Sequence, residues 1–238
     1  MNIDHKVAQL LVSRVCHDLA GGVSALSTGA ELLSEDNQMA DDEALSVIAM
    51  SATQCASRLA FFRVAFGLGG GESDTITTDE LKALVEAYLQ GGRVSLTWAA
   101  RNVRIGLMPG KLLLNLCLIG AESLPRGGAL RIDVTQIDRL ENDGPENDGP
   151  ENARPENAGP ENAGPENEGH LGFAVSAQGV GAGLRPELQT ALAVGVATDL
   201  LTARTVNGHF AAILAESLGA EMEILAEDQG EIRLAALM

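Results

Sequence analysis

A histidine followed directly by an aspartate, His17-Asp18, is the pair in this sequence best suited to do chemistry. An exposed imidazole is a nitrogen nucleophile near neutral pH. A carboxylate beside it can orient the ring, accept its second proton and leave the attacking nitrogen unprotonated. A phosphoryl group carried on that nitrogen is a high-energy phosphoramidate, suited to being passed onward. Arg14, one helical turn upstream, is placed to contact phosphoryl oxygens. The other histidines lack such a setting: His5 is terminal, His170 borders a repeat, and His209 reads as an ordinary helix residue. No two histidines or cysteines have metal-ligand spacing, so no metal site is expected. A Ser-His-Asp elbow and a phosphate-binding glycine loop before a lysine are both missing.

A lone exposed histidine is most often merely solvated, so its setting has to carry the argument. A helix is expected from Asp4 to Leu33, with an apolar stripe of Ala8, Val12, Val15, Leu19, Val23, Leu26, Ala30 and Leu33. At about 100° per residue, His17 points about 165° away from the centre of that stripe. Its neighbours on the outward face are Leu10, Ser13, Ala20, Gly21 and Ser24. Four of these five are small, so a partner can approach the ring closely, and Leu10 offers it an apolar contact. A second helix begins near Asp41-Asp42-Glu43, where acids suit the N-terminal dipole, and ends at Gly67 and Gly69-Gly70-Gly71. Its stripe is Leu45, Ile48, Ala52, Cys55, Leu59, Phe62 and Phe66. With a turn at Ser34-Glu35-Asp36-Asn37, the two helices make a hairpin. One hairpin leaves its stripes partly wet and two can bury them in a four-helix bundle, so residues 1–68 are expected to form a homodimer.

The hairpin is expected to make one domain, residues 1–70, and residues 71–238 a second. Thr77-x-x-Glu80 is a capping box that opens a helix reaching about Tyr88. A strand follows at Val94 to Trp98, a very apolar helix at Lys111 to Leu124, a turn at Pro125-Arg126-Gly127-Gly128 and a strand at Leu130 to Ile137. Beyond the repeat come a strand (Leu171 to Ala177), short helices near 186–193 and 205–218, and a hairpin. In the hairpin, Met222 to Leu225 and Glu231 to Leu234 flank a turn ending in Gln229-Gly230. The fold class is α+β: a helical hairpin, then an α/β sandwich with helices on one face of a mixed sheet.

Residues 141–169 repeat a pentapeptide, ENDGP drifting to ENAGP, with nine acids and one base, Arg154. Such a stretch cannot bury enough surface to offset its ordering entropy and reads as a disordered insertion. The whole chain, 238 residues and 45% hydrophobic, carries a net charge of −17. That charge argues against nucleic acid as a partner. No run of about 18 apolar residues suggests a membrane span, and the N-terminus has no signal pattern. Cys16, Cys55 and Cys117 are isolated and read as reduced core thiols, which fits a cytoplasmic protein.

Ser13-Arg14-Val15-Cys16-His17-Asp18-Leu19 resembles the phosphoacceptor motif of the ChpT-type histidine phosphotransferases, and Ala30-Glu31-Leu32-Leu33 fits the end of that helix. Phe61-Phe62-Arg63-Val64-Ala65-Phe66-Gly67 is similar to the family's second-helix signature. Leu188 to Leu192 and the 209–225 region fit more loosely. Gly22 stands where the family often has a helix-kinking proline. The resemblance implies a dimeric four-helix bundle and a second domain shaped like the ATPase domain of histidine kinases. It also implies His17 as phosphoacceptor, Asp18 beside it, and Arg14 and Arg63 as surface contacts. The implied partners are the receiver domain of a hybrid histidine kinase and downstream response regulators.

Carried over from kinase ATPase domains, the magnesium-binding asparagine falls at Gly120 and the adenine-binding aspartate at Ala177, in Ala177-Gln178-Gly179-Val180-Gly181. Loss of the metal ligand leaves triphosphate charge uncompensated, and loss of the adenine acceptor costs roughly 1–3 kcal/mol. No cofactor is therefore expected on this chain, and Mg2+ is expected in the partner receiver domain. Two rival readings share the hairpin: a non-catalytic dimeric adaptor or inhibitor, and an ATP-dependent histidine kinase.

Overall fold

The computed structural model describes residues 4–34, 41–67, 74–137, 170–193, 195–228 and 230–238. The repeat at 141–169, the expected turn over 35–37, Gly69-Gly70-Gly71 and Gln229 lie outside the described residues. Helices α1 (His5–Ser34) and α2 (Asp41–Ala65) form the antiparallel hairpin. They meet on small residues. A β-carbon added at Gly22 would stand 2.4 Å from Cys55 Sγ, and one at Gly29 would stand 2.6 Å from Ile48 Cγ1. The helix continues through Gly21-Gly22 without a break. Packing on glycine turns α1 about a quarter-turn from the orientation its apolar stripe suggests. The side facing the rest of the chain carries Val7, Leu11, Arg14, Asp18, Gly22 and Gly29, while Val12 and Val23 stand 63% and 53% exposed.

The base of the hairpin shares one apolar core with the second region of the chain. Val7, Leu11, Phe61, Phe62 and Ala65 are buried together with residues of α3 (Thr78–Leu89), α4 (Leu107–Glu122) and α6 (Val206–Ser217). The Phe61 ring lies 4.5 Å from that of Tyr88, and Phe66 meets Phe210 edge-on at 5.8 Å. Two polar residues of α4 seal the join. Lys111 Nζ donates to the carbonyl of Gly67 at 2.7 Å, and Asn115 Nδ2 donates to that of Ala65 at 3.2 Å. Carbonyls that a helix C-terminus leaves without partners thus find them in a different element.

Strands β2 (Val94–Ala99), β4 (Gly128–Ile137), β5 (His170–Gln178), β7 (Glu231–Leu237) and β6 (Glu221–Asp228) make a five-stranded sheet in the order β2-β4-β5-β7-β6. Only β2 and β4 run parallel. The strands alternate as a sheet covered on one face should. Leu130, Ile132, Phe173, Val175, Ile232 and Leu234 are buried beneath the helices; Arg131, Asp133, Ser176 and Arg233 line the open face. Gly127 turns the chain into β4 at φ +85°, where a side chain would strike the backbone of Arg93. The short helix α5 (Pro186–Ala191) precedes α6.

The α+β architecture matches the sequence expectation, and the Thr77–Glu80 capping box forms: Glu80 N donates to Thr77 Oγ1 at 3.2 Å, and Thr77 N donates to Glu80 Oε2 at 2.8 Å. Two features differ from expectation. Strands β1 (Thr75–Thr77) and β3 (Arg104–Gly106) pair into a small second sheet; three residues each are too few to show a period. Helix α4 starts at Leu107, not Lys111, because Pro109 in a first turn has no intrahelical bond to lose.

Candidate functional site

The His17 side chain is 71% exposed, and its Nδ1 lies 3.1 Å from Asp18 Oδ1. A carboxylate can only accept, so in this pairing Nδ1 is the ring's donor. Ser13, Ala20, Gly21 and Ser24 are also exposed, and nothing lies within 4 Å of a β-carbon added at Gly21. Small, exposed residues thus surround the ring on this face.

Two of the expected contacts, Leu10 and Arg14, are less exposed than expected. Leu10 is half-buried and packs against the core, because it lies on the border of the side that meets the second region. Arg14 is buried, 6% exposed, where a surface contact to phosphoryl oxygens was expected. Its Nε donates to Asp18 Oδ2 at 2.7 Å, and its Nη2 pairs with Glu122 Oε1 at the end of α4. Burial of a guanidinium requires such partners. Arg63 is exposed and lines a cleft with Gly67, Ile76 and Lys111.

Two residues of the site were not singled out from sequence. Arg58 of α2 donates from Nη1 to the Asp18 carbonyl at 2.6 Å, and Glu122 closes the pair with Arg14. They lie 40 and 108 positions from the residues they meet, so no local pattern announces them. Two cations and two carboxylates balance in this cluster, near the half-buried Tyr88. Burial first, and the Asp18 charge second, push the Tyr88 phenol above its ordinary pKa, against Arg14 and Arg58. His209 stands apart in α6, where burial holds its imidazole below the ordinary value against the opposing pull of Asp4.

The positions where kinase ATPase domains hold their nucleotide are filled differently in this chain. Gly120 faces the sheet: a β-carbon there would stand 2.7 Å from Leu130 Cδ1 and 2.9 Å from Val175 Cγ1. Gly120 is therefore a packing position between α4 and the sheet. Ala177 is buried on the same side.

Residues 78–145 match the family described as the histidine phosphotransferase C-terminal domain. Over 123 residues the chain is 38% identical to the protein phosphotransferase ChpT of Brucella abortus (strain 2308). That match spans 52% of this chain and 58% of the Brucella protein. A solved structure of a bacterial phosphotransferase superposes with a TM-score of 0.74 at 25% identity, covering 99% of this chain and 98% of that one. The likeness to that solved phosphotransferase covers both the hairpin and the sheet region, and the family match over residues 78–145 takes in α3, α4 and β4, so the chain is similar to bacterial histidine phosphotransferases of the ChpT type.

Proposed function

We propose that this protein is a phosphorelay histidine phosphotransferase that carries the phosphoryl group on His17 and uses no ATP of its own. The observation that carries this reading is the exposed imidazole, held through Nδ1 by Asp18 so that Nε2 is free to react. In the forward step, the Nε2 lone pair attacks the phosphorus of an aspartyl phosphate on a receiver domain. The N–P bond forms, the P–O bond breaks, and the electron pair leaves on the receiver's carboxylate. Asp18 balances the positive charge that develops on the ring. The reverse reaction with a second receiver, that of a response regulator, discharges the ring. Mg2+ belongs to the receivers' acidic pockets in this reading, and the present chain contributes position and shape.

The exposed stripes favour a homodimer. Val12, Val23, Leu45 and Leu59 are each more than half exposed and lie along the sides of α1 and α2 turned from the rest of the chain. Pairing with a second hairpin in a four-helix bundle would remove them from water. A cytoplasmic location follows from partners of this kind. Helix α2 has the length and composition of a weakly apolar membrane-crossing helix, but Arg58 holds it to α1 and Arg63 sits in its last turn.

Incubation with a phosphorylated receiver domain tests the reading. Acid-labile, base-stable label should appear on the wild type and fall to background in His17→Gln, with the unfolding transition of the variant unchanged because the side chain is exposed. Label on His17→Gln, or none on the wild type, would refute it. Saturable binding of Mg-ATP would favour a kinase; normal partner binding without any label would favour an adaptor or inhibitor.

A further inference from the structure

The phosphoacceptor pair does not end at Asp18. Its two carboxylate oxygens are divided, with Oδ1 on His17 Nδ1 at 3.1 Å and Oδ2 on Arg14 Nε at 2.7 Å. The other end of the Arg14 guanidinium pairs with Glu122 Oε1, and Glu122 Oε2 accepts from Asn207 Nδ2 at 3.3 Å. Asn207 is fully buried in the first turn of α6. A continuous polar chain thus runs from an exposed ring on α1 to the C-terminal end of α4 and the start of α6. Along it the exposure of the side chains falls from 71% at His17 to 15% at Asp18 and 8% at Arg14.

This arrangement constrains one torsion that matters. An aspartate bonded only to its neighbouring histidine can rotate and release the ring. One whose second oxygen is held by a buried guanidinium cannot, and that guanidinium is held in turn by a carboxylate from another element. The Arg58 bond to the Asp18 carbonyl fixes the backbone at the same residue. Arg14 is out of reach of a phosphoryl group approaching the exposed side of the ring, so its charge acts through Asp18.

We propose that Arg14 and Glu122 are positioning residues for phosphoryl transfer: they tie Asp18 to the C-terminal domain and thereby hold His17 with Nδ1 inward and Nε2 outward. This rests on His17 being the acceptor. In this arrangement the second domain takes part in the chemistry without touching the phosphoryl group. A hairpin separated from α4 keeps its histidine but loses the orientation of the ring. No co-reactant is added to the transfer step; the Nδ1 proton stays on the ring, facing Asp18, throughout.

The test uses the full-length chain, with a phosphorylated receiver domain as donor. Arg14→Met and Glu122→Gln are compared with wild type for single-turnover transfer rate, and 15N shifts of the His17 ring report the tautomer. Arg14→Met should slow transfer by about 10- to 100-fold, with a rise in the Nε2-protonated tautomer. Glu122→Gln, which keeps an oxygen for Arg14, should retain most of the rate. A folded Arg14→Met with wild-type rate and tautomer would overturn the proposal. If Arg14→Met does not fold, Arg14→Lys combined with Asp18→Asn decides. A double variant no slower than Asp18→Asn alone supports a shared pathway through Asp18, and fully additive losses refute it. His17→Gln serves as the separate control: if it still accepts label, the acceptor assignment has failed, not the positioning of Asp18.

Discussion

At the base of the hairpin, Val7, Leu11 and Arg14 of α1 are all less than a tenth exposed, walled in by α2, α4 and α6. Farther along, the same helix meets α2 at Gly22 and Gly29, and Val23, Leu32 and Leu33 are exposed. One helix with one apolar period is therefore finished in two ways. The base is completed by the rest of the chain, while the shaft presents an apolar edge to solvent. The boundary between the two regimes falls at Asp18, beside His17, the proposed phosphoacceptor. The histidine thus sits where an internally held helix becomes an externally available one, which gives it both a fixed backbone and an open approach.

Breaking the join at the base should have the largest effect on stability. Glu122→Ala leaves the buried Arg14 with one partner instead of two and should destabilise the protein by about 3 kcal/mol in chemical denaturation. Asn115→Ala strips the Ala65 carbonyl of its donor inside the core and should cost about 2 kcal/mol by the same measurement. A smaller value for either would mean that apolar packing alone holds the base. The shaft should respond differently. Val23→Asp should leave the melting temperature of the protomer within about a degree or two, but raise the dimer dissociation constant at least about tenfold in sedimentation, a change of about 1.4 kcal/mol. If it unfolds the chain instead, the shaft is internally packed and the contrast is false.

The smallest effect lies away from the hairpin, at the α3 cap. Hydrogen bonds from Thr77, first its backbone and then its hydroxyl, hold the Glu80 carboxyl below its ordinary pKa. A depressed carboxylate adds stability above the unfolded-state pKa and loses it as pH falls through the folded one. Glu80→Gln should therefore melt closer to the wild type near about pH 3 than at pH 7, a convergence visible in thermal scans at the two pH values.

Much of this organisation is legible in the residues. The capping box, the glycine turn before β4, the alternating strands and the two long amphipathic periods all follow from local chemistry, and the outward direction of His17 survives the rotation of its helix. The rotation itself is not legible, because an apolar stripe announces what would like to be buried and not which partner arrives first. Gly22 and Gly29 let α2 approach along a different side, and Val12 and Val23 of the stripe were left exposed. Arg14 shows the same limit. One turn from a histidine it reads as a surface cation, and only the arrival of Glu122, from far along the chain, makes it a buried one.

The sequence by itself determined the helices, the strands, the exposed imidazole and the carboxylate next to it, since each depends on neighbours within a few residues. The tertiary structure alone decided which face of α1 is covered, that Arg14 serves Asp18, and that α4 supplies the closing carboxylate. Those outcomes depend on the close packing of elements brought together across the whole chain, and on the need of a buried charge for a partner once water is excluded.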